Sequence, residues 1–309
     1  MKIIVTGSLG NISKPLTKLL IAQGHAVTVV SSDSKKTADI ENLGATAAIG
    51  SIADITFLTN TFKGADAVYA MIPLSFTEPD LGDYLRRMAL NYKQALIGAG
   101  TKRIVLMSGW AADLTKAENI EHLFDGIKSP ITIMRPAAFY TNFYQSIDLI
   151  KGKGLVGKFL TLRYSGLRAL LSGKTGLLMG NYGGDDRIVF VSPTDIAEAV
   201  AEELLLPSPT AKTIRYVGSE EMTCNEAAKI IGNAVGKPWL KWVLLSDKEM
   251  LQGLKMAKVP EKLAETLVEM QAAMHSGKAL ANFHRSKPKM GRVKLAEFAQ
   301  TFAKAYHKK

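Results

Sequence analysis

The chain has 309 residues, 47% of them apolar and 22% charged, a balance that builds a large core and excludes a disordered chain. Net charge is +11 at pH 7, and residues 241–309 carry 14 Lys or Arg against 6 Asp or Glu. A basic surface attracts anions, but these cations stand singly along helix-like stretches without interleaved aromatics, so nucleic-acid binding is not expected. No run reaches the roughly 18–20 apolar residues of a spanning helix, and no membrane partner is expected. The lone Cys224 excludes a disulfide framework and a cysteine-based zinc site, and no histidine spacing suggests a metal. The apolar opening stops at Gly7, too early for a secretory signal. A reducing, cytoplasmic setting is the expectation.

Strands and helices are predicted to alternate. Residues 2–6 form a short β-branched run, read as a buried parallel strand ending at Gly7. Ile12, Leu16, Leu19 and Leu20 follow at helical spacing, with Pro15 in the first turn and Gly24 as the stop. Residues 26–30 and 45–49 are further strands, and Asp54 caps a helix carrying Phe57, Leu58 and Phe62. A fourth strand spans 67–72 and ends at Pro73; Leu85, Met88, Ala89, Tyr92, Ala95 and Leu96 form a helical stripe. Strands at 103–107 and 131–134 bracket an expected helix at 115–124. Nine glycines then crowd residues 152–184, a pattern of loops with short elements. Regularity returns with a strand at 187–191, a helix at 194–206 and a strand at 213–217; beyond Thr223 the chain reads as helical. The fold class is α/β, a doubly wound parallel sheet of Rossmann type with a smaller, mainly helical C-terminal lobe. The expected boundaries are 1–140 with 186–218 for the sheet domain, and 141–185 with 219–309 for the lobe.

The strand-to-helix turn Val5-Thr6-Gly7-Ser8-Leu9-Gly10-Asn11-Ile12-Ser13 is the most informative stretch. Phosphate binding there needs backbone N–H groups and no side chain in the way. Gly7 permits the tight turn and Gly10 the approach of a pyrophosphate, while Ser13 stands where a third glycine is usual. Gly7, Ser8, Leu9, Gly10, Asn11 and Ile12 are the expected cofactor contacts. The second strand runs into Ser31 and Ser32, then Asp33, Ser34, Lys35 and Lys36. A carboxylate at that strand end would hold an NAD ribose; hydroxyls and a nearby lysine suit a 2′-phosphate instead. Ser31, Ser32 and Lys35 therefore favour NADP(H) over NAD(H), although Asp33 can still turn inward and the lysines also fit a solvated turn.

These residues carry a family resemblance. The opening Ile3-Ile4-Val5-Thr6-Gly7-Ser8-Leu9-Gly10-Asn11 resembles that of the NmrA-like group of atypical short-chain dehydrogenases. Gly64-Ala65-Asp66-Ala67-Val68, the stretch 99–108, Ile133-Met134-Arg135-Pro136-Ala137-Ala138-Phe139-Tyr140-Thr141-Asn142, and Val191-Ser192-Pro193-Thr194-Asp195-Ile196-Ala197 resemble later segments of the same group. The similarity covers about residues 2–220. It implies NAD(P) binding, with Met71, Ile72 and Pro73 after the fourth strand, Ser108 after the fifth, and Ala138 beside the nicotinamide.

The departures bear on chemistry. Ser51 stands where the group commonly has Asp, and no Tyr-x-x-x-Lys occurs anywhere in the chain. Some members use a lysine four residues before a glutamate; Glu121 would need it at Ala117, and Lys116 is one residue off. Ser108 and Lys116 are the catalytic candidates, beside plain readings as a turn serine and a surface lysine. Trp110, Phe139, Tyr140, Asn142 and Phe143 are candidate substrate contacts, or simply packing. Two functions stay open. One is an NAD(P)H-dependent reductase of a small, quinone-like acceptor, which needs little proton relay. The other is a non-catalytic redox sensor that binds NAD(P) and a protein partner.

Overall fold

The computed structural model describes residues 1–75, 78, 80–115, 119–206 and 211–308. The chain forms two compact units: Met1–Pro136 with Pro193–Val217, and Ala137–Ser192 with Gly218–Lys309.

The first unit is built by alternation. In chain order come β1 (Lys2–Val5), α1 (Ser13–Ala22), β2 (Ala26–Ser31), α2 (Thr37–Glu41), β3 (Thr46–Ile49), α3 (Ile55–Phe62), β4 (Ala67–Ala70), α4 (Leu81–Gly98), β5 (Ile104–Met107) and β6 (Ile131–Pro136). The chain then builds β7 (Ala138–Phe139), α5 (Ile147–Lys151), α6 (Gly154–Leu171), β8 (Leu178–Gly180) and β9 (Arg187–Val191) in the second unit. It returns for α7 (Pro193–Leu205) and β10 (Lys212–Val217). Seven strands, all parallel, form one sheet in the order β10-β6-β5-β4-β1-β2-β3. Parallel strands covered on both faces must be apolar throughout, and Ile3, Ile4, Val5, Val68, Ile104 and Leu106 are all fully buried. Ile4, Val68 and Leu106 join Leu58, Phe62, Met88 and Tyr92 of α3 and α4 in one cluster. α1 and α7 pack together, with α7 also against β4 and β5. The predicted cap of α3 is in place: Asp54 accepts the Phe57 N–H at 2.9 Å.

The second unit continues with β11 (Glu220–Thr223), α8 (Cys224–Ala234), β12 (Trp242–Leu244), α9 (Asp247–Met256), α10 (Glu261–His275), α11 (Lys278–Ser286) and α12 (Leu295–Lys308). Its small sheet has the order β11-β9-β7, and β8 pairs with β12. Leu295, Ala299, Phe302 and Tyr306 give α12 a buried face at helical spacing.

Three expectations are corrected. Residues 137–140, 186–192 and 218 belong to the second unit, because β9 pairs with β7 and β11 and not with the large sheet. The helix expected at 115–124 is a 3₁₀ turn, Ile120–Phe124, with the Asn119 side chain accepting the Glu121 N–H at 3.0 Å; residues 116–118 lie outside the described ones. The glycine-rich stretch contains an 18-residue helix, α6, broken only at Gly166 (φ +83°). Its glycines allow close packing: a Cβ on Gly157 would lie 2.3 Å from the carbonyl carbon of Gly152. No helix of the described residues is long and apolar enough to cross a membrane.

Candidate active site

The strand order of the large sheet reverses at β1: β2 and β3 lie on one side, β4, β5, β6 and β10 on the other. At such a reversal successive connections leave to opposite faces, and a crevice opens at the carboxyl ends of the strands. Thr6 and Met71 follow the two central strands there. Thr6 Oγ1 accepts the Met71 N–H at 2.8 Å, and the Tyr92 hydroxyl donates to the Met71 carbonyl at 3.1 Å, tying the strand ends together.

The glycine loop starts at this edge. Gly7 has φ +84°, and a Cβ on it would lie 2.3 Å from Met71 Cε and 2.9 Å from Ser13 Oγ. Ser8 also adopts a left-handed φ, +54°; its N–H donates to the Val30 carbonyl at 2.9 Å and its hydroxyl to Ser31 Oγ at 3.0 Å. Ser13, in place of the third glycine, turns its hydroxyl back to the Thr6 carbonyl at 2.7 Å. The loop is thus held by its own polar side chains. Ile12 heads α1 with no side-chain cap, and the first turn of α1 has no acidic residue. The Gly10 N–H donates to the Gly7 carbonyl and the Lys14 N–H to the Gly10 carbonyl, and the positive end of the helix faces any acceptor bound at the loop. Gly10 and Asn11 are exposed, Leu9 is half-buried and Ile12 buried. A pyrophosphate fits this cradle.

At the end of β2, Ser31 is buried and committed to Ser8, while Ser32 and Lys35 are exposed. Asp33 accepts the Lys35 N–H at 3.0 Å, so its carboxylate caps the turn that follows β2. Met71 is half-buried, Ile72 buried and Pro73 exposed.

At the end of β5 a group unforeseen from the sequence comes together. Ser108 Oγ donates to Glu121 Oε1 at 2.6 Å. Arg135, near the end of β6, holds the same carboxylate with two bonds, Nε to Oε1 at 2.9 Å and Nη2 to Oε2 at 2.6 Å. Arg135 Nη1 donates to the Tyr216 hydroxyl at 2.8 Å and lies 2.9 Å from Asp113 Oδ2. Glu121 is 3% exposed and Arg135 4%. Burial pushes the Glu121 carboxyl up, but hydrogen bonds from Arg135 and Ser108 more than reverse this and hold it below the ordinary glutamate range. Burial lowers the affinity of Arg135 for its proton, and the bonds to Glu121 again reverse the effect, so the guanidinium is held charged. The sequence did carry one signal: an arginine in the apolar strand Ile131–Pro136 demands a buried partner.

The remaining candidates divide. Trp110 is buried in the first unit, and Lys116 lies outside the described residues. Ala138 and Phe139 are half-buried on β7 of the second unit, and Asn142 is exposed. Tyr140 and Phe143 are interior residues of that unit, which accords with the packing reading of the two. Tyr140 stacks on Phe190 and Phe298 with ring centroids 6.4 and 5.5 Å away, and its hydroxyl donates to the Val293 carbonyl. Phe143 packs on Phe190 and Trp242. Rings enclosed in this way have no face left for an acceptor.

The sequence pattern of the NAD(P)H-binding family matches residues 7–205, well over half of the chain. The chain belongs to this family. Among similar proteins is the NAD(P)H azoreductase of Xenophilus azovorans, 23% identical over 98% of this chain and 99% of the relative. The NADPH-dependent quinone oxidoreductase QOR2 of Escherichia coli, solved with NADPH, shares the fold with a TM-score of 0.72. It is 18% identical, over 97% of this chain and 99% of that one. The triphenylmethane reductase of Citrobacter sp., solved with NADP(H), has a TM-score of 0.70 and 20% identity over 98% and 100% of the two chains.

Proposed function

We propose that this NAD(P)H-binding protein is an NADPH-preferring oxidoreductase that reduces a small, electron-poor, quinone-like acceptor. The carrying observation is the state of Ser108: its hydroxyl hydrogen is committed to a carboxylate that Arg135 keeps ionised. Ser108 therefore only accepts hydrogen bonds from a ligand, as a carboxamide N–H₂ would offer, and Glu121 is a poor acid. With no Tyr-x-x-x-Lys in the sequence, the reading favours an acceptor that takes hydride without a protein acid in place. A quinone does so, and water completes its protonation. The bound nicotinamide would supply the hydride. The loop 7–12 would hold its pyrophosphate, and Ser32 and Lys35 the 2′-phosphate, since Asp33 is engaged as a cap. The azoreductase and quinone-reductase names of similar proteins support the acceptor class. A reducing cytoplasmic setting belongs to the same reading; the only cysteine, Cys224, is buried and free.

The test is a titration with NADPH and NADH, followed by a small quinone in the same cuvette. Tighter NADPH binding with quinone-dependent loss of reduced-nicotinamide absorbance is expected, and Lys35→Ala should erase most of the preference for NADPH. Binding without turnover across quinones and azo dyes would replace the reductase with the redox-sensor reading, which the same lack of a proton relay fits.

A further inference from the structure

Helix α6 runs for 18 residues, yet Thr161 is its one fully buried residue. Its outward face is apolar: Leu155 is 88% exposed, Phe159 59% and Leu162 45%. Spacings of four and three residues place these three along one stripe. Val156 lies beside the stripe, and Leu167 and Leu171 are exposed beyond the break at Gly166. The inward side is fixed in place. Gly157 packs on the Gly152 backbone, and Thr161 Oγ1 donates to the Gly157 carbonyl at 2.8 Å while accepting the Gly176 N–H at 3.4 Å. The helix cannot roll to bury its stripe without breaking the Gly157–Gly152 packing and the Gly176–Thr161 bond.

Charge narrows the partner. Between Asp148 and Asp185 the chain has six cations, Lys151, Lys153, Lys158, Arg163, Arg168 and Lys174, and no Asp or Glu. Arg163 pairs with Glu249 of α9 at 2.7 Å, and Lys151 lies over the Tyr306 ring; Lys153, Lys158, Arg168 and Lys174 are exposed. At 100° per residue, Lys158 and Arg163 fall on opposite flanks of the stripe. A second copy docked about a two-fold axis would set this patch on itself, cation against cation. An apolar stripe flanked by cations instead fits the boundary of an anionic bilayer, acyl chains against the stripe and lipid phosphates against the flanks.

We propose that α6 is a membrane-surface docking helix for bilayers containing anionic lipid. Leu155, Phe159 and Leu162 enter the interface, and Lys158 on one flank and Arg163 on the other meet the headgroups. It lies on the membrane and does not cross it. The sequence expectation of no membrane partner rested on a search for spans, which an interfacial helix does not register in.

The experiment is sedimentation of the full chain with vesicles of phosphatidylcholine alone and of phosphatidylcholine mixed with phosphatidylglycerol. NADPH binding is read in parallel as the check of folding. Expected are binding at least about ten-fold tighter to the mixed vesicles and loss of that binding at high salt. Phe159→Asp and Lys158→Glu should each weaken it by about ten-fold with NADPH binding unchanged. Two controls should bind as wild type: Ile97→Asp, an exposed apolar residue on α4, and a Lys287→Glu/Lys289→Glu pair in the basic tail. Absence of vesicle binding overturns the proposal, as does binding that the tail variant abolishes and Phe159→Asp leaves intact. Light scattering that shows a dimer split by Phe159→Asp, without vesicle binding, would assign the stripe to a second copy instead.

Discussion

Two arginine–glutamate pairs, one half-buried and one fully buried, sit at opposite ends of neighbouring strands in the large sheet. At the amino end of β5, Arg103 Nη2 lies 2.7 Å from Glu203 Oε2, and its Nε donates to the Glu203 carbonyl at 2.8 Å. Thr132 donates to the same Oε2, and Arg215 Nη1 donates to Oε1 at 3.0 Å. At the carboxyl end of β6, Arg135 holds Glu121, and Glu121 in turn accepts from Ser108. The first cluster uses both carboxylate oxygens to join α7 to the strand edges. The second uses its carboxylate to fix a hydroxyl at the strand end that faces the crevice. Arg103 Nη1 is buried without a partner among the described residues, and burial lowers the pKa of this guanidinium. Arg135 is saturated and shifts the other way. The same pair of residue types is thus scaffolding at one edge and site geometry at the other. What differs is the third group each carboxylate holds, not the ion pair itself.

The largest expected effect that separates them is Glu121→Gln. Removing one charge from a buried pair leaves Arg135 undercompensated and should cost about 3–5 kcal/mol in urea unfolding; quinone turnover should fall with it. Glu203→Gln should cost less, about 1–3 kcal/mol, because Arg103 keeps the Glu203 carbonyl and Thr132. Its turnover should match wild type, and a loss comparable to that of Glu121→Gln would erase the distinction between the clusters.

Acid sharpens the comparison. Glu121 titrates lower in the folded protein than in the unfolded chain, so its stabilising contribution is complete above the unfolded value of about 4.3 and is lost as pH falls through the folded value. The stability gap between wild type and Glu121→Gln should therefore be full at neutral pH and should close progressively below about pH 4; a gap independent of pH would contradict an ionised Glu121.

The smallest stability effect is expected for Ser108→Ala, about 1 kcal/mol or less, since Arg135 still holds Glu121. Turnover should nevertheless fall roughly ten-fold through lost orientation, with NADPH affinity within a few-fold of wild type because loop 7–12 is untouched. Equal turnover in Ser108→Ala would place the Ser108–Glu121–Arg135 chain outside the chemistry.

Local signals account for what was legible. The β-branched run before Gly7, the glycine spacing and the caps at Asp54 and Gly24 act over a few residues, and each appears where it was read. The first unit was readable because parallel strands and their helices follow one another with short links. The second unit was not. Its glycines read as loops, yet they serve helix packing at Gly152 and Gly157, and β9 joins strands far from it in sequence.

From sequence alone followed the α/β class and the strand–glycine turn–helix at Gly7, because these rest on the period of apolar residues and on backbone freedom at Gly7. Only the tertiary structure decided that Tyr140 and Phe143 are core and that Ser108 meets Glu121 and Arg135. Those outcomes depend on partners 13 residues apart for Ser108 and its carboxylate, and 158 apart for Tyr140 and Phe298. Burial, which turns such a meeting into a held charge or an enclosed ring, is a property of the folded chain and not of any segment of it.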